Sequence, residues 1–125
     1  MTKEKMIELI NTTNDSVVLE KIAKQTNVTY KMLEKIVSKN NDSNVLLAVI
    51  NNKLADPALR ETVLIKTDDE IVLFRIQELT YEYIDNALKL KMNKEERKNY
   101  ILKKPTFSGA DFKKFTLFLN PALQF

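Results

Sequence analysis

The densest group of side chains that could bind a ligand is the acidic run Asp68-Asp69-Glu70. Carboxylates are the ligands that hard cations such as Ca²⁺ prefer. The run lacks the alternating ligand spacing of a calcium loop, and it lies where a helix is predicted to begin. Carboxylates there cap free backbone N–H groups and interact favourably with the helix dipole. We therefore expect helix capping from these residues, and the sequence predicts no metal or other cofactor.

The residue types that most often perform catalysis are missing or rare. The chain has no histidine, no cysteine and a single glycine, Gly109. The lack of histidine removes the commonest general base, and the lack of cysteine removes disulfides and thiolate metal sites. One glycine is too few for a phosphate-binding loop, and no serine lies in a nucleophile-elbow context. The sequence thus predicts no catalytic residue and a non-enzymatic protein, in a composition compatible with a reducing cytoplasm.

Positive charge is concentrated in the last third of the chain. Residues 1–88 carry 11 Lys/Arg and 14 Asp/Glu, whereas residues 89–125 carry 9 Lys/Arg and 3 Asp/Glu. With tyrosines and Phe107 nearby, one interpretation is a phosphate-binding surface with stacking aromatics. The alternative is a solvated lysine-rich face, because arginine occurs once in this region and no base-reading motif is present. The candidate phosphate surface consists of Lys94, Arg97, Lys98, Lys103 and Lys104.

The C-terminal segment, residues 105–125, contains most of the phenylalanines. Phe112, Phe115 and Leu119 share one face of a predicted helix, Phe118 lies beside them, and Phe125 ends the chain. A stack of helices must close its open end, so we interpret this segment as an aromatic capping helix. The alternative is that the aromatic side chains form a docking site for a partner or for self-association with a second copy.

The elements that position these residues are predicted from recurring helix-start signals. Short polar side chains precede each segment with helical apolar spacing, at a nearly constant interval along the chain, and such side chains cap free N–H groups of a first turn. The predicted caps are Thr2, Asp15, Thr29, Asp42, Asp56, Thr67, Thr80, Asn93 and Ser108. Thr67 with Glu70 fits a capping box. This spacing predicts helices of about ten residues joined by short turns.

Two of these helices form one repeat, visible as similarity at an offset of about 26 residues. Leu33, Ile36 and Val37 align with Leu59, Thr62 and Val63. We predict a single all-α domain, a short α-solenoid with approximate repeats 2–26, 27–52, 53–78 and 79–104, followed by the C-terminal cap at 105–125. Helix pairs that cannot bury their apolar faces alone would stack into one core. An ordinary bundle of short helices is the alternative.

The segment 27–78 resembles the variant leucine-rich repeat, a bacterial relative of HEAT-type helical repeats. The residues that carry the resemblance are Leu33-Glu34-Lys35-Ile36-Val37, Asn41-Asp42-Ser43-Asn44-Val45, Val49-Ile50-Asn51-Asn52 and Asp56-Pro57-Ala58-Leu59. The resemblance implies short alternating helices wound into a right-handed superhelix. It implies no common activity. The cysteine-ligated iron–sulfur segment of some family members has no counterpart, since the chain lacks cysteine.

These features predict a scaffold for protein–protein interaction. The outward residues of each second helix are the candidate partner surface: Asn44, Leu47, Asn51, Leu73 and Gln77. A nucleic-acid-binding protein and a small regulatory or inhibitory protein of a mobile element are the alternatives. No apolar run approaches the roughly 20 residues that span a bilayer, and the N-terminus lacks the apolar region of a secretory signal. We therefore expect a cytoplasmic protein without membrane contact.

Overall fold

A computed structural model describes residues 1–99, with the backbone alone at residues 98 and 99, and residues 105–119. Every regular element in these residues is a helix, which confirms the all-α prediction. The helices are α1 (Lys3–Thr12), α2 (Ser16–Ala23), α3 (Tyr30–Lys39), α4 (Ser43–Ile50), α5 (Pro57–Lys66), α6 (Glu70–Lys91), α7 (Lys94–Asn99) and α8 (Gly109–Leu119). No helix in these ranges is long and apolar enough to cross a membrane.

The first six helices form three pairs with equal spacing. The first helices begin at Lys3, Tyr30 and Pro57, and the second helices begin at Ser16, Ser43 and Glu70. Both series advance by the same interval in residue number, which is one more than the approximate repeat length predicted from the sequence. Consecutive pairs contact each other through α2 with α4, α4 with α6, α1 with α3 and α3 with α5. Equivalent side chains of successive pairs therefore lie in rows across the helices.

The turn inside each pair is made by a repeated side-chain hydrogen bond. The residue after the first helix has extended backbone and accepts a hydrogen bond from the amide of an aspartate two residues later. These bonds are Thr13–Asp15 (3.1 Å), Asn40–Asp42 (2.7 Å) and Thr67–Asp69 (3.1 Å). Each aspartate then caps the second helix through its carboxylate. The turn thus ends one helix and begins the next within three residues.

Two of the predicted helix starts are wrong. Thr67 follows α5, and Asp69 caps α6 in its place. Thr80 lies inside α6, where its hydroxyl donates to the Ile76 carbonyl at 2.7 Å, a bond that threonine makes within a helix. The expected fourth first helix therefore does not begin at residue 80. The predicted caps Thr2, Asp15, Thr29, Asp42 and Asp56 are confirmed.

The core lies between the first and second helices and follows the same interval. Leu19, Leu46 and Leu73 occupy equivalent positions in α2, α4 and α6, and each is at most 1% exposed. In the first helices, Ile10 and Leu64 are buried in the same way. One continuous apolar cluster extends from Met6 to Phe112. Burial of apolar surface is the main source of the stability of such a stack.

The segment 105–119 is attached to α6 by polar contacts at close range. Gln77, only 2% exposed, donates from its amide to the Phe107 carbonyl at 2.8 Å and accepts from the Phe107 N–H at 2.9 Å. The Glu70 carboxylate accepts from the amides of Gly109 and Ala110 at the start of α8. A Cβ atom on Gly109 would lie 2.7 Å from the Glu70 carbonyl oxygen. Glycine is therefore required for α8 to approach α6 this closely.

Candidate interaction surface

The outward side chains of the second helices form one surface across α2, α4 and α6. Because the three helices begin at equally spaced positions, these side chains lie in three rows: Val17, Asn44 and Ile71; Glu20, Leu47 and Phe74; Lys24, Asn51 and Glu78. The surface includes large apolar side chains that are open to solvent, with Ile71 68% exposed and Phe74 39% exposed. We call this surface the second-helix groove.

Two depressions lie along the second-helix groove. The larger, of about 730 Å³, lies between α2 and α4 and is bordered by Lys24, Asn44, Leu54 and their neighbours. The smaller, of about 350 Å³, lies between α4 and α6 and is bordered by Phe74 and Glu78. Leu47 lines both depressions, so they meet at its side chain. Clefts of this size, lined by both polar and apolar residues, are suited to accept side chains of a bound molecule.

Hydrogen bonds fix the polar groups that border the groove. Arg75 donates from Nε to the Asn51 Oδ1 at 2.7 Å, and its guanidinium lies 3.7 Å from the Glu78 carboxylate. Asn52 donates to the Ala23 carbonyl at 2.9 Å and accepts from the Leu54 amide at the same distance. These bonds join neighbouring helices and turns, so the groove is largely preformed.

Three of the five residues predicted for a partner surface lie in this groove: Asn44, Leu47 and Asn51. The expectation that Leu73 and Gln77 face outward is wrong, because they are 1% and 2% exposed. Leu73 packs in the core, and Gln77 binds the backbone of Phe107.

The error comes from a shift of one residue in the repeat. The offset predicted from the sequence pairs Leu47 with Leu73, whereas the actual interval, longer by one, pairs Leu47 with Phe74. The exposed residues Ile71 and Phe74 were missed for this reason. Asp15, Asp42 and Asp69 recur in the sequence at the actual interval. Aligning the second helices on these aspartates would have placed Phe74 in the same row as Leu47.

The candidate phosphate surface is described only in part. Lys94 and Arg97 lie exposed on α7, and Arg97 donates from Nε to the Met92 carbonyl at 3.0 Å. The Lys98 side chain, Lys103 and Lys104 lie outside the described part of the chain. The predicted phosphate surface stays a prediction.

Each member of the acidic run binds a partner within the protein. Asp69 caps α6 through the Ile71 and Val72 amides, and it accepts a hydrogen bond from the Ser43 hydroxyl at 2.8 Å. The Ser43 hydrogen bond, followed by the amide bonds, lowers the pKa of the Asp69 carboxyl. Asp68 lies 3.0 Å from the Lys113 ammonium. Within residues 1–99 and 105–119, no group of three or more acidic, histidine or cysteine side chains is arranged to hold a metal ion.

Comparison with known proteins does not identify a family. No family model, no curated protein and no solved structure matches the chain.

Proposed function

We propose that this chain is a non-enzymatic helical-repeat module, related in architecture to HEAT-type and variant leucine-rich repeats, that binds a polypeptide segment in the second-helix groove. The equal spacing of the three helix pairs supports a solenoid, because each pair contributes equivalent residues to one surface. The segment 105–119 covers Leu73 and Gln77 at the end of the stack, which supports a capping role for α8.

One observation carries the proposal: Leu47 and Phe74 occupy equivalent positions on adjacent helices, Leu47 borders both depressions, and Phe74 borders the smaller one. They are the apolar anchors of the groove, since apolar side chains in desolvated pockets supply most of the energy of protein recognition. Phe74 is 39% exposed, and an aromatic side chain, with only two χ angles, loses little conformational freedom when a partner binds.

The polar residues of the groove favour a polypeptide over a small apolar ligand. Asn44 and Asn51 lie on either side of Leu47 along α4 and bring amide groups to the larger depression. A side-chain amide offers both a donor and an acceptor, which matches the alternating N–H and C=O groups of an extended backbone. We propose that the bound segment pairs its main chain with these amides and places an apolar side chain against Leu47.

The test is selection from a random peptide library displayed on phage, using the full chain as bait. We expect selected peptides to share an apolar residue flanked by polar positions. Their binding should fall at least tenfold on the Leu47→Asp variant and on the Phe74→Asp variant, because a carboxylate cannot be buried against the peptide without cost.

Ile7→Asp is the matched control. Ile7 is 48% exposed on α1, so it presents a comparable apolar side chain outside the groove. Peptides that bind the wild type and the control equally but lose affinity for the groove variants support the proposal. Selection of no peptide, or of peptides insensitive to both groove variants, rejects it.

A further inference from the structure

An extended exposed apolar surface lies at the end of the helix stack opposite α1. Helices α2 and α4 each end after eight residues. The next helix, α3 or α5, then packs against the preceding pair. In contrast, α6 continues for 22 residues to Lys91. We call residues 80–91 of α6 the arm. The arm extends the chain past the position where its counterparts turn back.

The arm is amphipathic. Tyr83, Ile84, Ala87, Leu88 and Leu90 share one face of the helix, about 160° wide at 100° per residue. All five are exposed, and Leu90 is 84% exposed. The opposite face is polar and includes Glu78, Glu82, Asn86 and Lys89. A helix with this pattern buries its apolar face against another element.

Helix α8 continues the same apolar surface. Tyr83 and Ile84 of the arm and Phe115 and Leu119 of α8 border one cavity of about 490 Å³. Phe118 lies next to Phe115 and Leu119 on the α8 surface and is 76% exposed. We call the apolar face of the arm together with these three residues of α8 the arm–α8 face.

The area of the arm–α8 face is that of a protein interface. If each large side chain has about 150–250 Å² of surface, the exposed fractions of its seven large apolar side chains leave roughly 600–1,000 Å² open to solvent. The largest apolar patch on a typical monomer is about 300–600 Å², and a stable interface buries about 800 Å² per partner.

We propose that the arm–α8 face joins two copies of this chain in a two-fold dimer, in which the apolar faces of the two arms pack against each other. Two-fold symmetry brings the same apolar surface from both copies together, so one face satisfies both partners. The opposite face of the arm, which carries Glu82 and Lys89, then stays in contact with solvent.

The first test is the molar mass of the full chain in solution, measured by light scattering after gel filtration and by sedimentation velocity. We expect twice the 14.5 kDa of the single chain at on the order of 100 μM, a concentration at which a complex with micromolar affinity is assembled. The Ile84→Asp/Leu119→Asp variant should raise the dissociation constant at least tenfold, because it buries carboxylates in the apolar contact.

Ile71→Asp is the matched control for these substitutions. Ile71 is 68% exposed in the second-helix groove, outside the arm–α8 face, so this variant should remain dimeric. Circular dichroism checks that all variants are folded. A wild type that is monomeric at this concentration overturns the proposal, and so does a folded Ile84→Asp/Leu119→Asp variant whose dissociation constant equals that of the wild type.

The second test locates the two-fold axis by cross-linking and does not depend on destabilising variants. The chain has no cysteine, so a single introduced thiol is unique. Ala87 lies in the middle of the apolar face of the arm, so packing of the two arms through this face brings the two copies of Ala87 close to the axis. Under mild oxidation, Ala87→Cys should form a disulfide-linked dimer, whereas Val17→Cys on α2 should remain monomeric on a denaturing gel. Equal cross-linking at both positions contradicts the arrangement. The proposal is independent of peptide binding, because its face lies outside the second-helix groove.

Discussion

Arg75 donates a hydrogen bond from Nε to the Asn51 Oδ1 at 2.7 Å, and this bond joins α6 to the end of α4 at the edge of the second-helix groove. The bond fixes the side-chain amide of Asn51 beside Leu47 and the larger depression. A fixed amide loses less entropy on binding than a mobile one, so the groove is prepared for a main-chain contact.

The register of α6 determines which of its residues are buried, and this can be tested by stability measurements. Leu73→Ala should lower the free energy of unfolding by about 2–5 kcal/mol, because it leaves a cavity in the core. Ile71→Ala, two residues earlier and largely exposed, should change it by no more than about 0.5 kcal/mol. Urea titration followed by circular dichroism measures both. Equal effects of the two substitutions would contradict the register.

The capping aspartates predict a loss of stability in acid. The Leu59 amide and then the Tyr30 hydroxyl lower the pKa of the Asp56 carboxyl, and hydrogen bonds from Ser43 and the α6 amides lower that of Asp69. Because both pKa values are lower in the folded state, the ionised carboxylates stabilise the folded protein. This stabilisation is complete above the ordinary pKa of 3.8. It is lost as the pH falls through the lowered values.

Urea titrations between neutral pH and about pH 3, near the aspartate pKa range, measure this effect. Asp69→Asn should reduce the dependence of stability on pH, because the substituted side chain does not titrate in this range. Asp68→Asn is the matched control, since the Asp68 side chain is 95% exposed and its carboxyl caps no helix. If both variants reduce the pH dependence of stability equally, capping by Asp69 is not the cause of that dependence.

Gly109 sets the distance between α8 and α6. Gly109→Ala should destabilise the protein by about 1–3 kcal/mol, because the new methyl group overlaps the Glu70 backbone and cannot be relieved by a side-chain rotation. Ala110→Ser adds one atom at the neighbouring exposed residue and should have little effect. Hydrogen exchange of the α8 amides locates the change. Unaltered exchange in α8 of Gly109→Ala would contradict this role.

The charges on α7 allow the phosphate-surface alternative to be tested. If Lys94 and Arg97 are only solvated, double- and single-stranded nucleic acid should migrate in the same way with the wild type and with the Lys94→Glu/Arg97→Glu variant. The measurement is a gel-shift assay across a salt series, because phosphate neutralisation makes binding steeply salt-dependent. Salt-sensitive binding that disappears in the variant would favour nucleic acid as the partner.

Local chemistry explains which parts of the fold could be predicted from the sequence. Capping depends on one short polar side chain and the amides next to it, so Thr2, Asp15, Thr29, Asp42 and Asp56 were identified correctly. The exposed groove residues depended on the repeat length to within one residue, because a shift of one residue turns a helix by about 100°. That is why Leu73 was predicted to be exposed in place of Phe74.

Contacts between distant residues could not be predicted in this way. Thr80 has the residue type of a cap, but α6 continues through it to Lys91. Glu70 has the residue type of a capping box, but its carboxylate binds the amides of α8, 39 and 40 residues away. No local pattern identifies the Glu70 contact, because it depends on the packing of α8 against α6.

The most direct test of the proposed function is the affinity of one selected peptide, labelled with a fluorophore, for the wild type, Phe74→Asp and Ile7→Asp, measured by fluorescence anisotropy. Binding in the second-helix groove predicts that Phe74→Asp weakens binding at least tenfold, about 1.4 kcal/mol or more, while Ile7→Asp leaves it unchanged. The same affinity for all three proteins, each folded by circular dichroism, would show that the peptide binds elsewhere and would contradict the assignment of the groove as the binding site.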